Sequence, residues 1–439
     1  MLRSFDVASA RQAILKRVPL DEMPVPQSML DGIIRLFGEP LTPAQVVDRI
    51  LDDVRRRGDA ALQEWTTRLD GGVESLRVPA EEISAAMAAL EPGLRGSIEL
   101  ATERVRRFHQ AQPVTSWMTQ ALGGTLGQFV RPIRRVGLYV PAGSAPLPSS
   151  VLMSAIPAQV AGVKEIALVA PPDRSTGKVS PVILAAAGLL GITEIYAIGG
   201  AQAIAALAYG TQTIRRVDKI FGPGNLFVTL AKRQVFGLVG IDSVAGPTET
   251  VVVADESANP EWVAADLLAQ AEHDVLASAI LLTPSMQLIQ AVQAAVARQL
   301  EERGRSPVIS GSLENRSGAV HTADLAEAVQ LANEYAPEHL CLAVRDPWRW
   351  AEQVDAAGGI FMGEHSFEVL GDYVAGPSHV MPTGGAARYN SPLNVLDFVH
   401  VVSLIALDPH TTRQIAPSAA ALAKAEGLDA HAYAAEVRL

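Results

Sequence analysis

From residue 136 onward, short apolar runs alternate with longer amphipathic stretches. GLYVP, from Gly137, reads as a buried strand, and Ser149–Ala161 follows at helical spacing. The pattern recurs as strand Glu165–Ala170 with helix Pro181–Leu190, strand Glu194–Ile198 with helix Ala201–Tyr209, and strand Val217–Ile220 with helix Leu226–Phe236. A Gly-rich passage, GIDSVAGPTET, then marks a crossing, after which the rhythm resumes. Strand Glu249–Ala254 precedes helix Pro260–His273, and strand Ala277–Leu282 precedes helix Met286–Arg303. Helix Asp324–Glu334, strand Leu340–Val344, helix Trp348–Ala357 and strand Ile360–Met362 complete the series. Such alternation implies right-handed βαβ units on parallel sheets.

The segment before residue 136 reads as helical. Thr42–Trp65 places Val46, Val47, Ile50, Leu51, Val54 and Leu62 on one face, with arginines opposite. Ala80–His109 reads as a second helix, with an interruption near Pro92-Gly93. Both are scaffold by their pattern. From about Arg388 the pattern weakens and ends in a helical tail. The expected architecture is α/β, with two Rossmann-like domains on parallel sheets, a helical N-terminal region and a C-terminal tail. The expected divisions are 1–30 as an extension, 31–138 with 250–387 as one domain, 139–249 as the other, and 388–439 as the tail.

Composition supports this. The 439 residues are 49% hydrophobic but only 5% aromatic, which suits strands covered on both faces. A net charge of -11 argues against nucleic acid and against anionic membranes as partners. A single cysteine, Cys341, excludes an internal disulfide and reads as a small core residue. The N-terminus lacks a signal-peptide pattern and the apolar runs are short, so a cytoplasmic protein without a membrane span is expected.

Four segments carry candidate chemistry. In LLAQAEHD, Gln270 and His273 share one helix face, and an imidazole is a common metal ligand. In NEYAPEHL, Pro337 ends a helix and leaves the titratable neighbours Glu338 and His339 in a turn before a strand, where they could divide acid and base duties. GDYVAGPSHVMPTGG is shaped by turns and holds Asp372 and His379. GPGN, at Gly222–Asn225, is a strand-to-helix turn of the kind that offers backbone amides to a phosphate, though it is not a G-x-G-x-x-G fingerprint. Taken singly, each is equally at home as ordinary structure. Glu426 and His431, in the tail motif AEGLDAHA, have no local role; His109, His321, His365, His400 and His410 read as structural or exposed.

Taken together and in order, these segments resemble the histidinol dehydrogenase family. The resemblance runs from RRRGDAAL to AEGLDAHA through GLYVPAGSAPLPSSVLM, GGAQAIAALAYGT, VDKIFGPGN and VGIDSVAGPTE. It implies zinc- and NAD-dependent oxidation of L-histidinol to L-histidine, the last step of histidine biosynthesis, in a homodimer with shared active sites and one zinc ion per subunit. Gln270, His273, Asp372 and His431 match the metal ligands; Glu338 and His339 match the catalytic pair. Tyr139, Gln202 and Asn225 match cofactor contacts, while Thr248, His339, His379, Glu426 and the four metal ligands match the substrate pocket. On this match the domain 31–138 with 250–387 carries the zinc and catalytic residues, 139–249 carries most cofactor contacts, and the tail crosses to the partner.

The sequence departs from the family pattern at Ala142-Gly143, Ser243, Thr248 and Phe367, where Gly-Gly, Met, Ser and Pro are usual. Thr248 keeps a hydroxyl, so a substrate contact there survives. Oxidation of another small polar alcohol with NAD is the alternative on the same scaffold; retention of His379 and Glu426 argues against it. A zinc hydrolase is disfavoured by the cofactor matches, and an inactive homologue by the complete metal and catalytic sets.

Overall fold

The computed structural model describes residues 2–19, 22, 25–142, 146–302 and 306–439. Gly143 and Arg303, which fall in the expected Ala142-Gly143 departure and at a helix end, lie outside them. The chain divides into two compact units, residues 1–111 with 134–394, and residues 112–133 with 395–439.

The first unit carries two parallel sheets. Strands β1 (Ser4–Asp6), β2 (Trp117–Thr119) and β3 (Thr125–Pro132) come first in the chain, then β4 (Arg135–Tyr139), β5 (Glu165–Ala170), β6 (Ile195–Ala197), β7 (Lys219–Phe221) and β8 (Gly240–Ile241). They are followed by β9 (Glu249–Ala254), β10 (Ser278–Thr283), β11 (Gly318–His321), β12 (His339–Ala343), β13 (Gly359–Met362) and β14 (Val399–Ala406). One sheet has the order β6-β5-β4-β7-β8, the other β1-β11-β10-β9-β12-β13. Edge strand β1 aside, the strands of each sheet taken in sequence run third, second, first, fourth, fifth, the doubly wound arrangement with a switch point between the first and fourth. The α/β class and the parallel sheets read from the alternation are therefore present. The expected N-terminal extension contributes edge strand β1, paired in register with β11.

Each sheet is buried on both faces. Tyr139, Ala167, Val169 and Ile220 share a core with Val46, Val47, Ile50 and Leu62. Val252, Leu281 and Cys341 pack with Leu267, Ile289 and Val292, while Val251, Val253 and Leu342 face Val329 and Ala332 on the opposite side. Cys341 is thus the core residue its context indicated, and burial pushes its thiol well above the usual range. The single helix expected over Thr42–Trp65 is two, Pro43–Arg57 and Asp59–Asp70. Gly58, with φ 59°, makes the break, and Thr42 with Gln45 forms a capping box at the first helix.

The second unit holds an element that the periodicity did not reveal. β3 pairs antiparallel with both β2 and β14, placing Val401 opposite Val130 and Ile405 opposite Leu126. Helices Pro409–Ala425 and Asp429–Glu436 complete it. Val401, Val402, Ile405, Leu422, Tyr433 and Val437 are exposed. No helix among the described residues is long and apolar enough to cross a membrane.

After β7, the chain turns at Gly222 over a buried ion pair. Lys232 donates to the Gly222 carbonyl (2.9 Å) and pairs with Asp242, whose carboxylate accepts from the Gly222 N–H (2.7 Å). A Cβ on Gly222 would meet the Tyr139 carbonyl oxygen at 2.1 Å, so this turn demands glycine. Lys232→Met leaves the Asp242 carboxylate buried without its cation and should cost about 3–5 kcal/mol of stability in urea denaturation. A cost below about 1 kcal/mol would show that the pair does not hold the turn.

Candidate active site

Two groups of side chains stand out in the first unit. The first lies at the C-terminal edge of the five-stranded sheet, where switch-point geometry places ligands. Tyr139 ends β4, and its hydroxyl accepts from the Gly200 N–H (3.3 Å). Asn225 follows β7, is exposed, and caps helix Leu226–Val235 through Oδ1 and the Val228 N–H (3.1 Å). Gln202 follows β6 and is 0% exposed. Its Nε2 donates to Asp70 (3.1 Å), which fixes the amide and leaves Oε1 without a partner. Asp70 also accepts from the Gly199 N–H, and burial pushes its carboxyl up to about 6.

The second group lies at the opposite kind of edge. Glu249 begins β9 directly after Thr248, and His339 begins β12 directly after Glu338, so this site is at the N-terminal edge of the six-stranded sheet. Parallel pairing puts His339 beside Thr250, which brings Glu338 and Glu249 together just outside the ladder. The Thr248 hydroxyl (2.5 Å) and the Glu249 N–H (3.1 Å) both donate to Glu338 Oε2. His339 Nδ1 lies 3.3 Å from the Glu249 carbonyl and acts as donor to it, since a carbonyl only accepts. That fixes the neutral tautomer with its lone pair on Nε2, which is buried and unpartnered. Burial drives the two groups in opposite senses: Glu338 is pushed well above the usual carboxylate range, and His339 down to about 4.

Gln270 and Asp372 join this group. Gln270 is 0% exposed; its Nε2 donates to Thr248 (3.2 Å) and its Oε1 has no partner. Asp372 Oδ1 stands 3.9 Å from His339 Nε2, and burial together with the charge of Glu368 raises its carboxyl. His379 Nδ1 donates to the Asp372 carbonyl (2.8 Å), and burial lowers this imidazole. His273 is exposed at the end of helix Pro260–Ala271, one turn beyond Gln270, and lies within electrostatic reach of Asp372, His339 and Glu368.

One member of the group went unread in the sequence. Glu368, in the first turn of helix Glu368–Tyr373, is 1% exposed, is hydrogen-bonded by the Thr250 hydroxyl, and has Oε1 3.9 Å from His339 Nδ1. Burial raises it to about 7. Its signal was the spacing Glu368/Asp372, two acids on one helix face.

The remaining two candidates are elsewhere. Glu426 caps the C-terminus of helix Pro409–Ala425, and His431 lies in helix Asp429–Glu436; both are exposed and both belong to the second unit. Among the described residues, no three His, Cys, Asp or Glu side chains converge at metal-binding geometry. The first unit supplies two such donors, His273 and Asp372, plus the unpartnered amide oxygen of Gln270. That set fits a metal ion whose coordination is completed by one more ligand.

The chain matches the family described as histidinol dehydrogenase over residues 41–439. It is 54% identical over 436 residues to the histidinol dehydrogenase of Deinococcus radiodurans, covering 98% of both chains. The Moorella thermoacetica histidinol dehydrogenase is 52% identical, over 89% of this chain and 93% of its own. The crystal structure of histidinol dehydrogenase from Elizabethkingia anophelis superposes with a TM-score of 0.91 at 36% identity, covering 100% of this chain and 98% of that one.

The environment of Asp70 has a measurable pH signature. Between its ordinary 3.8 and the folded value of about 6, the folded chain keeps a proton that the unfolded chain releases, so stability falls as pH rises through that window. Asp70→Asn removes this dependence. Relative to wild type, the variant should gain about 2 kcal/mol between pH 4 and pH 7, with little change above. Urea denaturation across that range tests this; a difference independent of pH would mean that Asp70 carries no such strain.

Proposed function

The chain belongs to the histidinol dehydrogenase family, and on that basis we propose that it carries L-histidinol through histidinaldehyde to L-histidine in two NAD-linked oxidations at a zinc-bearing site. It is an oxidoreductase of histidine biosynthesis. The observation that carries the detailed reading is the buried juxtaposition of Glu338 and His339 with the unpartnered Gln270 Oε1. Buried polar atoms normally find partners, so an acceptor left bare beside an acid and a base points to a bound group.

Gln270, His273 and Asp372 would hold the zinc ion, and Tyr139, Gln202 and Asn225 would line the cofactor site. When bound, zinc anchors the substrate nitrogens as a Lewis acid, and NAD accepts the hydride. The chain's own groups handle the protons. His339 is neutral at physiological pH, and the Glu249 carbonyl orients its free Nε2, so that nitrogen takes the hydroxyl proton as the carbon loses hydride. Glu338 then takes a proton from water as the water oxygen bonds to the aldehyde carbon. Its raised affinity for protons makes it a stronger base than an exposed carboxylate. Once His339 has released its first proton to solvent, the neutral imidazole accepts the proton of the resulting hydrate when the second hydride departs. Thr248, His379 and Glu426 would complete the substrate pocket.

Glu426 and His431 enter this scheme from a second copy. Both are exposed, and their unit presents uncovered Val401, Val402, Ile405, Tyr433 and Val437, the kind of surface that an oligomer buries. We therefore read the functional form as a homodimer whose tails, residues 388–439, exchange to complete each zinc site with His431.

Purified protein with zinc, NAD and L-histidinol should yield two NADH per histidinol, lose activity on chelation and regain it with zinc. NADH from a different alcohol but none from histidinol would sink this reading. Glu338→Gln should slow aldehyde oxidation by about 100-fold or more while alcohol oxidation falls far less; equal losses would remove its water-activating role. Truncation before Glu426 should abolish tight zinc binding, measured by metal analysis after dialysis. Full retention of zinc would exclude His431 as a ligand.

A further inference from the structure

Arg17 lies outside the family-matched residues, and no motif marks it. Its side chain is only 24% exposed. The guanidinium grips the Glu249 carboxylate in two-pronged fashion, through Nη1 and through Nη2 (2.8 Å). Nε (3.0 Å) and Nη2 (2.5 Å) also donate to the Tyr335 carbonyl, and Nη2 reaches the Ala336 carbonyl (3.2 Å). Its centre sits 3.6 Å above the Tyr335 ring. One cation thus ties the start of β9 to the end of helix Leu325–Tyr335.

Both tied points adjoin the catalytic pair. The Glu249 backbone donates to Glu338 and accepts from His339. Ala336 stands immediately before Pro337-Glu338, and among the described residues it alone, glycines aside, has positive φ (50°). A left-handed residue bearing a Cβ persists only where its surroundings over-determine it. Arg17 supplies that restraint from one side, and Arg388, donating to the Glu334 carbonyl, adds to it.

We propose that Arg17 is a positioning residue for catalysis: it clamps Glu249 against the 335–336 turn so that Glu338 and His339 keep the spacing at which one residue's backbone serves both. This rests on the reading of Glu338 and His339 as the catalytic pair. Lysine cannot substitute, because a point charge cannot bind a carboxylate bidentately, reach two carbonyls and stack on a ring at once.

The test compares Arg17→Lys, Arg17→Ala and, in parallel, Glu338→Gln, in the zinc-loaded enzyme. Arg17→Lys should lower kcat about 10-fold and Arg17→Ala about 100-fold, as losses of orienting contacts do. The KM for NAD should stay within about 2-fold, because the cofactor edge is on the other sheet. Guanidinium ion at low millimolar concentration should restore part of the Arg17→Ala rate, and ethylammonium should not. Wild-type kcat in folded Arg17→Lys overturns the proposal, as does loss of kcat only in step with lost zinc and a lowered melting temperature. Should Arg17→Ala fail to fold, Arg17→Lys decides alone by the same criteria. If Glu338→Gln keeps its full aldehyde-oxidising rate, the catalytic pair itself is misassigned. If it is impaired while both Arg17 variants match wild type, only the clamp falls.

Discussion

The backbone of Glu249 is the constraint on which the Glu338 and His339 group depends. Its N–H and C=O face two different side chains, and the parallel register of β9 against β12 fixes both. A slip of one residue would turn His339 to the other face of the sheet and leave Glu338 without its donors. The register is in turn secured by cores on both faces, since Val251, Val252 and Val253 are all fully buried. Sheet packing, which is rigid, therefore supplies the frame against which the turn before β12 is held.

Desolvation then divides the labour. One burial raises a carboxyl and lowers an imidazole, so the acid becomes a stronger base and the imidazole stays neutral. Asp372, Glu368 and Asp266 are raised as well, each with burial as the largest cause. Acids gathered in apolar surroundings repel one another, and a cation among them would relieve the cost. That concentration of acids, beside a bare amide oxygen, supports the proposed metal more strongly than any single ligand does.

The sequence revealed what period and spacing encode. Strand–helix alternation identified both parallel sheets because most of their strands are continuous apolar runs bounded by turns; it passed over β1, β8 and β11, which are two to four residues long. It missed β3 and β14, whose partly exposed faces blur the alternation. Glu338 and His339 were visible as neighbours, but their opposite electrostatic fates follow from burial, which no local pattern states. Asp70, Glu368 and Arg17 were not singled out. Asp70 and Arg17 act on partners over a hundred residues away, and a contact of that separation leaves no spacing to read. His431 shows the complementary limit: its resemblance-based role has no supporting partner within its own unit.

Edge strand β1 aside, the two sheets share one strand order, but the two candidate groups lie at different edges. Tyr139, Gln202 and Asn225 follow the C-terminal ends of β4, β6 and β7, where the switch-point rule places ligands. The Glu338 and His339 group, proposed as catalytic, instead lies at the N-terminal ends of β9 and β12. This placement has a physical merit for proton chemistry. At the first residue of a strand, one N–H and one C=O fall at the margin of the ladder and are free to bind side chains, as those of Glu249 do. At the same edge of the sheet, helix Leu325–Tyr335 ends and exposes its last carbonyls, which attract cations such as Arg17. A carboxylate that must be basic and an imidazole that must be oriented thus find donors and acceptors already fixed by secondary structure. In the proposed function the same fold order would support nucleotide-type binding at one edge and proton transfer at the other, the two tasks drawing on opposite ends of the strands.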